Sequence, residues 1–225
     1  MAQGKTLWEM LLEKVQGPLE LKYYNPLRAR IGSAVTIDTL ELRDQDFFLR
    51  EIREYKRTIG SKEFRFVDYA LRARPLGGSD VWVRLRLNPV EDPTKVAGLT
   101  HDVLLLRLDD EMSYNEELHR LVGDDTHKFQ VLQDGKVVEE YWRINDVGSP
   151  YQANVSVVKD SNANNKAEKD EIENLRLDYW DYWREVKDEA GQAHTEFLFV
   201  EMNAADGWFQ IWKGGAIDPQ QVVVM

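Results

Sequence analysis

Residues 67–87, VDYALRARPLGGSDVWVRLRL, carry the pattern that decides the expected fold. Apolar and polar side chains alternate on both sides of Leu76-Gly77-Gly78-Ser79, which predicts two antiparallel strands joined by a hairpin loop. Successive side chains of a strand lie on opposite faces. The second strand therefore has an aliphatic face and a face with arginines: Val81, Val83, Leu85 and Leu87 on the first, Trp82, Arg84 and Arg86 on the second.

Similar patterns recur along the chain and predict a mainly β fold. Strands are expected at 34–40, 46–59, 63–74, 80–87, 101–109, 151–159, 175–186, 195–202 and 207–213. A hairpin is expected at 128–144 around Asp134-Gly135, and short helices at 6–16 and 113–122, the second capped by Ser113. The expected class is a β-rich α+β fold of antiparallel sheets or barrel-like halves with two or three short helices.

The domain organisation follows from these segments. We expect an N-terminal helix and lead-in at 1–23, a first β-rich half at 24–110 and a second at 111–225, with one compact unit as the alternative. Val67-Asp68-Tyr69 leads to the strand 81–85, and Trp180-Asp181-Tyr182 leads to the strand 197–201, half a chain later. This spacing predicts a duplicated β unit. The alternative is that any two β-hairpins resemble one another.

Charge is divided unevenly between the halves. The net charge is −11, but the first 89 residues carry 16 basic and 12 acidic side chains, and the rest carry 13 and 28. The predicted first hairpin lines up a basic stripe beside a tryptophan: Arg72, Arg74, Trp82, Arg84 and Arg86. The matching strands of the second half carry Asp181, Glu196 and Glu201. We expect the stripe to meet an acidic surface of the second half or of another subunit, and a solvated face is the alternative.

Aromatic residues cover both faces of one strand in the second half. In Tyr179-Trp180-Asp181-Tyr182-Trp183, Tyr179 and Trp183 share one face, and Trp180 and Tyr182 share the other. One face can fill the core. The other must be covered by a further element, a partner, or a ligand that stacks on rings, such as a sugar. Trp180 and Trp183 are therefore binding-surface candidates.

Motifs that carry chemistry are missing from the sequence. It has no cysteine, and the four histidines have no metal-site spacing. No phosphate-binding glycine loop or nucleophile elbow occurs. We therefore assign no catalytic, metal or cofactor-binding residue. The acidic total also argues against nucleic acid as the main partner.

Targeting features are equally sparse. No apolar run has the roughly 20 residues of a membrane helix, and the first residues have no signal-peptide core. We expect a cytoplasmic protein. Peripheral membrane contact through the helix 6–16 is a weaker alternative, because that helix has few basic residues.

Two features resemble known families. Asn25-Pro26-Leu27 followed by residues 31–38, IGSAVTID, and Val67-Asp68-Tyr69 followed by Trp82, are similar to uncharacterised bacterial β-rich families without an established activity. Some of these are encoded near phage-shock-type membrane-stress proteins. The resemblance implies a bacterial cytoplasmic protein that works through partners, and it carries over no catalytic residue.

The sequence thus favours a non-enzymatic protein-interaction or assembly protein, either with another protein or by self-association, with a link to the bacterial membrane-stress response. One alternative is a module that binds a sugar or lipid headgroup, which a pocket lined by Trp180 or Trp183 would favour. Another is a hydrolase of unfamiliar type.

Overall fold

A computed structural model describes residues 26–39, 41–43, 45–59, 62–73, 79–89, 101–123, 127–144, 150–159, 171–188, 191–203 and 205–225. The predicted helix 6–16 and Arg74 lie outside these ranges. The described elements, in chain order, are β1 Ala34–Ile37, β2 Phe47–Ile59, β3 Lys62–Ala73, β4 Val81–Pro89, β5 His101–Met112, α1 Glu116–Gly123, β6 Lys128–Gln133, β7 Lys136–Arg143, β8 Tyr151–Lys159, β9 Glu171–Lys187, β10 Ala193–Asn203, β11 Phe209–Ile217 and β12 Val222–Val224.

Eight antiparallel strands close into a barrel in the order β2-β3-β4-β5-β11-β10-β9-β8. β8 closes the ring because it pairs with β2 along one edge and with β9 along the other. The predicted mainly β, antiparallel fold is confirmed. The barrel is a single one, with four strands from the chain before residue 113 and four after it.

Two long strands extend beyond the barrel and carry smaller sheets. The start of β2 pairs with β1, which pairs in turn with β12. The later part of β9 pairs with β7, the second strand of the β6–β7 hairpin. The predicted turn of this hairpin is confirmed, since Asp134 and Gly135 have positive φ angles of 52° and 73°, as a two-residue hairpin turn of this type requires.

Two apolar clusters lie on the outside of the barrel wall. Over β2–β5, Val67, Tyr69 and Leu85 pack beneath β1 and the residues around Leu42. Over β9–β11, the wall packs beneath α1 and the β6–β7 hairpin; the buried members of this cluster include Trp180, Tyr182, Leu198, Leu118, Val122, Phe129 and Tyr141. The cover over β2–β5 also includes β12 from the end of the chain, because Val222 and Val224 pack against the first cluster, and the cover over β9–β11 comes from the second half.

Helix α1 is shorter than expected and is capped by a different residue. The Leu118 N–H donates to Asn115 Oδ1 at 2.9 Å, so Asn115 and not Ser113 is the N-cap. Within the described ranges, no helix is long and apolar enough to cross a membrane.

The leucine-rich centre of strand β5 is buried on both faces. Leu105 belongs to the outer cluster over β2–β5, and Leu104 and Leu106 belong to a cluster inside the barrel. The C-terminal strand β12 was not expected, because three valines alone do not distinguish a strand from a tail.

Candidate functional site

The inside of the barrel holds a network of paired charges. Arg84 on β4 donates to Glu201 on β10 at 2.6 Å, although these strands are not neighbours, so this contact crosses the interior. Arg86 makes a bidentate pair with Asp68 at 2.8 and 2.7 Å and also reaches Glu201 at 3.2 Å. Bidentate arginine–carboxylate pairs are among the strongest hydrogen-bonded contacts in proteins.

Aromatic rings and amides fill the space around these charges. The guanidinium of Arg84 lies 3.7 Å from the Trp212 ring centroid and donates to Gln210 at 2.7 Å. Arg86 lies over Phe66 and Phe199, at 4.5 and 4.3 Å from their centroids. An eight-stranded barrel is just wide enough for side chains to fill it. The interior network is thus a packed, polar core.

The pKa shifts agree with a structural role for this network. Burial alone would raise the pKa of Glu201, but Arg84, Arg86 and Arg53 together lower it to about 2. Burial lowers the pKa of Arg86, but Asp68 and Glu201 outweigh this and raise it. Burial and Glu201 both raise the pKa of Tyr55. These shifts move the pKa of each group further from 7, so they do not prepare the three groups for acid–base catalysis near that pH.

The arginines of the predicted basic stripe do not form one surface in the structure. Arg84 and Arg86 are 1% and 3% exposed, so they belong to the interior and not to an outer surface. The reason is that the aliphatic face of β4 packs under the outer cluster, which turns its arginines inward. The acidic group they meet in the second half is Glu201.

Two further members of the stripe, Arg72 and Trp82, lie at one end of the barrel. Arg72 stands opposite Trp82 in the β3–β4 register, and Ala70 stands opposite Arg84, so Arg72 is not beside Arg84. Arg72 pairs with Asp80, and its guanidinium lies 5.6 Å from the Trp82 ring.

Of the two tryptophans of β9, Trp180 is buried and Trp183 is exposed. Trp180 is 1% exposed and packs beneath α1, with the His119 and Phe209 rings at 6.2 and 6.5 Å. It is therefore a core residue and not a surface candidate. Trp183 is 40% exposed. It stands opposite Trp142 on β7, which is 47% exposed, and opposite Phe197 on β10.

Residues directly opposite in an antiparallel pair share a face. Trp142, Trp183 and Phe197 therefore form one aromatic row across three strands. Its inner end is anchored, because Phe197 packs against Phe199 of the barrel interior at 6.1 Å. At its outer end, Lys128 Nζ lies 3.9 Å from the Trp142 ring.

Sequence reasoning found Trp183 but missed Trp142 and Phe197 as its neighbours. The row crosses strands that are far apart in the chain, so only the sheet register brings the three rings together. The one sequence feature that bears on the position of Trp142 is the Asp134-Gly135 turn, which sets Lys128 opposite Trp142. This turn does not place β7 beside β9.

Among the described residues, no three histidine, aspartate or glutamate side chains are grouped to hold a metal ion. No protein-family model, curated protein or solved structure matches this chain.

Proposed function

We propose that this protein is a non-enzymatic binding protein whose partner is another protein that docks on the aromatic row. The observation that carries the proposal is the pair Trp142 and Trp183, side by side and 47% and 40% exposed. Tryptophans are frequent energetic anchors of protein interfaces. A closed barrel with a packed interior supplies the rigid support that such anchors need.

The surroundings of the row favour a protein over a sugar. Lys128 lies against the ring of Trp142, where a stacked sugar would otherwise sit. The β6–β7 hairpin and the residue that follows it expose further large apolar side chains: Leu132, Val137, Val138 and Ile144. Extended apolar exposure of this kind is typical of interaction surfaces.

Charge indicates the chemistry of the partner. Glu140 and Glu185 lie two residues from Trp142 and Trp183 on the same strands and therefore share their face. The interior arginines Arg84 and Arg86 are paired with Glu201 and Asp68 and do not offset these outer carboxylates, of which Glu140 is paired with Lys128. A partner with basic groups around an apolar pocket fits this face.

The alternative ligand-binding module has less support. Trp180 is buried in the core, and the groove of about 540 Å³ over β11 is lined by neither Trp180 nor Trp183. The resemblance to bacterial families encoded near membrane-stress proteins supports a cytoplasmic partner from that group.

The test compares the double variant W142A/W183A with the control W208A. Trp208 is exposed to a similar extent, 46%, but precedes β11 and lies outside the row. Wild type and both variants are each immobilised and exposed to a lysate of the source cells. Each protein that is retained is purified, and its Kd for wild type and for both variants is measured by isothermal titration calorimetry. We expect wild type and W208A to bind one protein with equal Kd, and the double variant to bind it at least about 30-fold more weakly, as for interface hot spots.

Two outcomes would contradict the proposal. The first is a partner that binds the double variant as tightly as wild type. The second is sugar binding that the double variant alone loses, with no protein partner retained. Sedimentation shows whether the partner is a second copy, in which case the mass of wild type exceeds that of the double variant.

A further inference from the structure

A groove of about 540 Å³ lies on the outer face of β5, β11 and β10, away from the aromatic row. Glu41 reaches it from the cover of the first half. On the other side, Lys213 and Glu196 at its edge contact Glu139 and Tyr141 of the β6–β7 hairpin. The groove therefore lies on the barrel wall between the two covers, and its volume suits a small molecule.

Glycine forms the floor of the groove. Gly215 stands between Leu105 of β5 and Glu196 of β10, in the row of residues that faces outward. A Cβ at Gly215 would lie 3.1 Å from the Thr195 carbonyl oxygen, a tight contact. Glycine inside a strand often marks a bulge or a place where a ligand or another backbone approaches closely, and here the Thr195 backbone is one such neighbour. Leu105 and Ile217 add apolar surface beside it.

Both signs of charge line the walls. Arg107 pairs with Glu41 on one side, and its side chain remains 46% exposed. At one end, Lys213 Nζ lies 2.9 Å from Glu139 and 3.3 Å from Asp109. Against its partial burial, these two carboxylates raise the pKa of Lys213, so Lys213 stays protonated and paired with them.

The opposite wall presents a carboxylate and an imidazole. Glu196 accepts hydrogen bonds from Arg184 at 2.8 Å and from the Tyr141 hydroxyl at 2.5 Å. His194 lies exposed on the same strand, also facing the groove. The groove therefore has an accessible guanidinium on the β5 side and a fixed carboxylate on the β10 side.

We propose that this groove binds a small zwitterion with a carboxylate and an ammonium group on a short aliphatic body, of the amino acid or dipeptide class. Arg107 receives the carboxylate through its planar fork of N–H donors. Glu196 and Asp109 receive the ammonium group. A purely anionic ligand would face the carboxylates of Glu41, Asp109 and Glu196, and a purely cationic ligand would face Arg107 and Lys213.

The first test is isothermal titration of the full chain with three peptides. L-alanyl-L-alanine carries both charges, its N-acetyl form lacks the ammonium group, and its C-terminal amide lacks the carboxylate. We expect saturable binding of the dipeptide at a single site, and binding of each modified peptide at least about tenfold weaker. Equal binding of either modified peptide, or no saturable binding of the dipeptide, overturns the proposal.

The second test locates the site. R107Q removes the charge of an exposed arginine whose partner is the exposed Glu41, so the fold has little reason to change. Its matched control is R176Q, an exposed arginine on β9 whose partner is Gln152. We expect R107Q to weaken dipeptide binding at least about tenfold and R176Q to leave it unchanged. Equal affinities for R107Q and wild type overturn the proposal.

This site and the aromatic row are independent of each other. The groove lies on the outward face of the wall, and the row lies on the face that continues the barrel interior. If W142A/W183A loses partner binding but keeps dipeptide binding, the groove proposal stands. If R107Q loses dipeptide binding but keeps partner binding, the docking proposal stands.

Discussion

Arg84 shows how a strand can turn its charged face into a barrel. A buried guanidinium costs several kcal/mol unless it is paired and its donors are satisfied. Here Glu201 supplies the counter-charge at 2.6 Å, Gln210 a neutral acceptor at 2.7 Å, and the Trp212 ring a stacking surface. The arginine is tolerated because side chains of two other strands, β10 and β11, supply these contacts, although its Nε is buried without a hydrogen-bond acceptor in the described part of the chain.

Replacement of Glu201 by glutamine tests this dependence. The amide keeps the shape but leaves Arg84 and Arg86 short of one negative charge inside the barrel. We expect E201Q to lower the free energy of unfolding by about 3–5 kcal/mol, as when one member of a buried pair is removed. Urea unfolding followed by circular dichroism gives the value.

The control for E201Q is R72Q, which breaks the partly exposed pair of Arg72 with Asp80. Such pairs contribute about 0–1 kcal/mol, so R72Q is expected to unfold within that range of wild type. Equal losses for the two variants would show that the interior pair is no more valuable than a surface one.

The stability difference between wild type and E201Q should also depend on pH. The arginines lower the pKa of Glu201 to about 2 in the folded state, from an ordinary value of 4.5. A lowered folded pKa contributes stability that is complete above pH 4.5 and is lost as the pH falls towards 2. The difference in unfolding free energy between wild type and E201Q should therefore shrink over this window and stay constant above it. A difference that grows on acidification would contradict the assignment.

Strands and turns were predictable from the sequence where a few neighbouring residues determine them. The alternation at 81–87 and the Asp134-Gly135 turn both gave correct strands, because strand periodicity and turn geometry are properties of a few neighbouring residues. The inward face of β4 was not predictable. Its aliphatic side could face the barrel or a cover, and only the packing of β1 over β2–β5 decides between them.

Strands β5 and β11 approach each other closely at Gly214, and a substitution there tests how tightly they pack. Gly214 lies at the centre of β11, and a Cβ there would lie 1.8 Å from the Leu105 carbonyl oxygen of β5. Because the obstacle is backbone, the β5–β11 seam must shift to admit even a methyl group. We expect G214A to lose about 3 kcal/mol or more, the upper part of the range for overpacking.

G123A is the matched control for G214A. Gly123 ends α1, and a Cβ there meets nothing within 4 Å. Alanine is also the better helix former, so we expect G123A to be neutral or slightly stabilising. Thermal unfolding of both variants measures the difference, and a G214A protein as stable as G123A would show that the seam is not closely packed.

The whole molecule depends on β8, which joins the two halves. This strand lies in the second half of the chain but pairs with β2 of the first, so neither half closes a barrel alone. The interior contacts from Arg84 and Arg86 to Glu201 also run from one half to the other. The sequence showed the uneven charge but not that part of it is matched inside the barrel, because that pairing requires the closed ring.

One cooperative unfolding unit follows from this closure. Amide hydrogen exchange should give the same opening free energy for the centres of β3 and β10, which belong to different halves. Val157 of β8 is fully buried in the barrel interior, and V157A should lower both values by the same amount. If V157A lowered the protection of β10 and left that of β3 unchanged, the halves would be separate folding units, and the barrel would be a docking of two sheets. Equal losses mean that the support beneath the aromatic row extends to both halves, so that a change that unfolds either half also abolishes binding at the row.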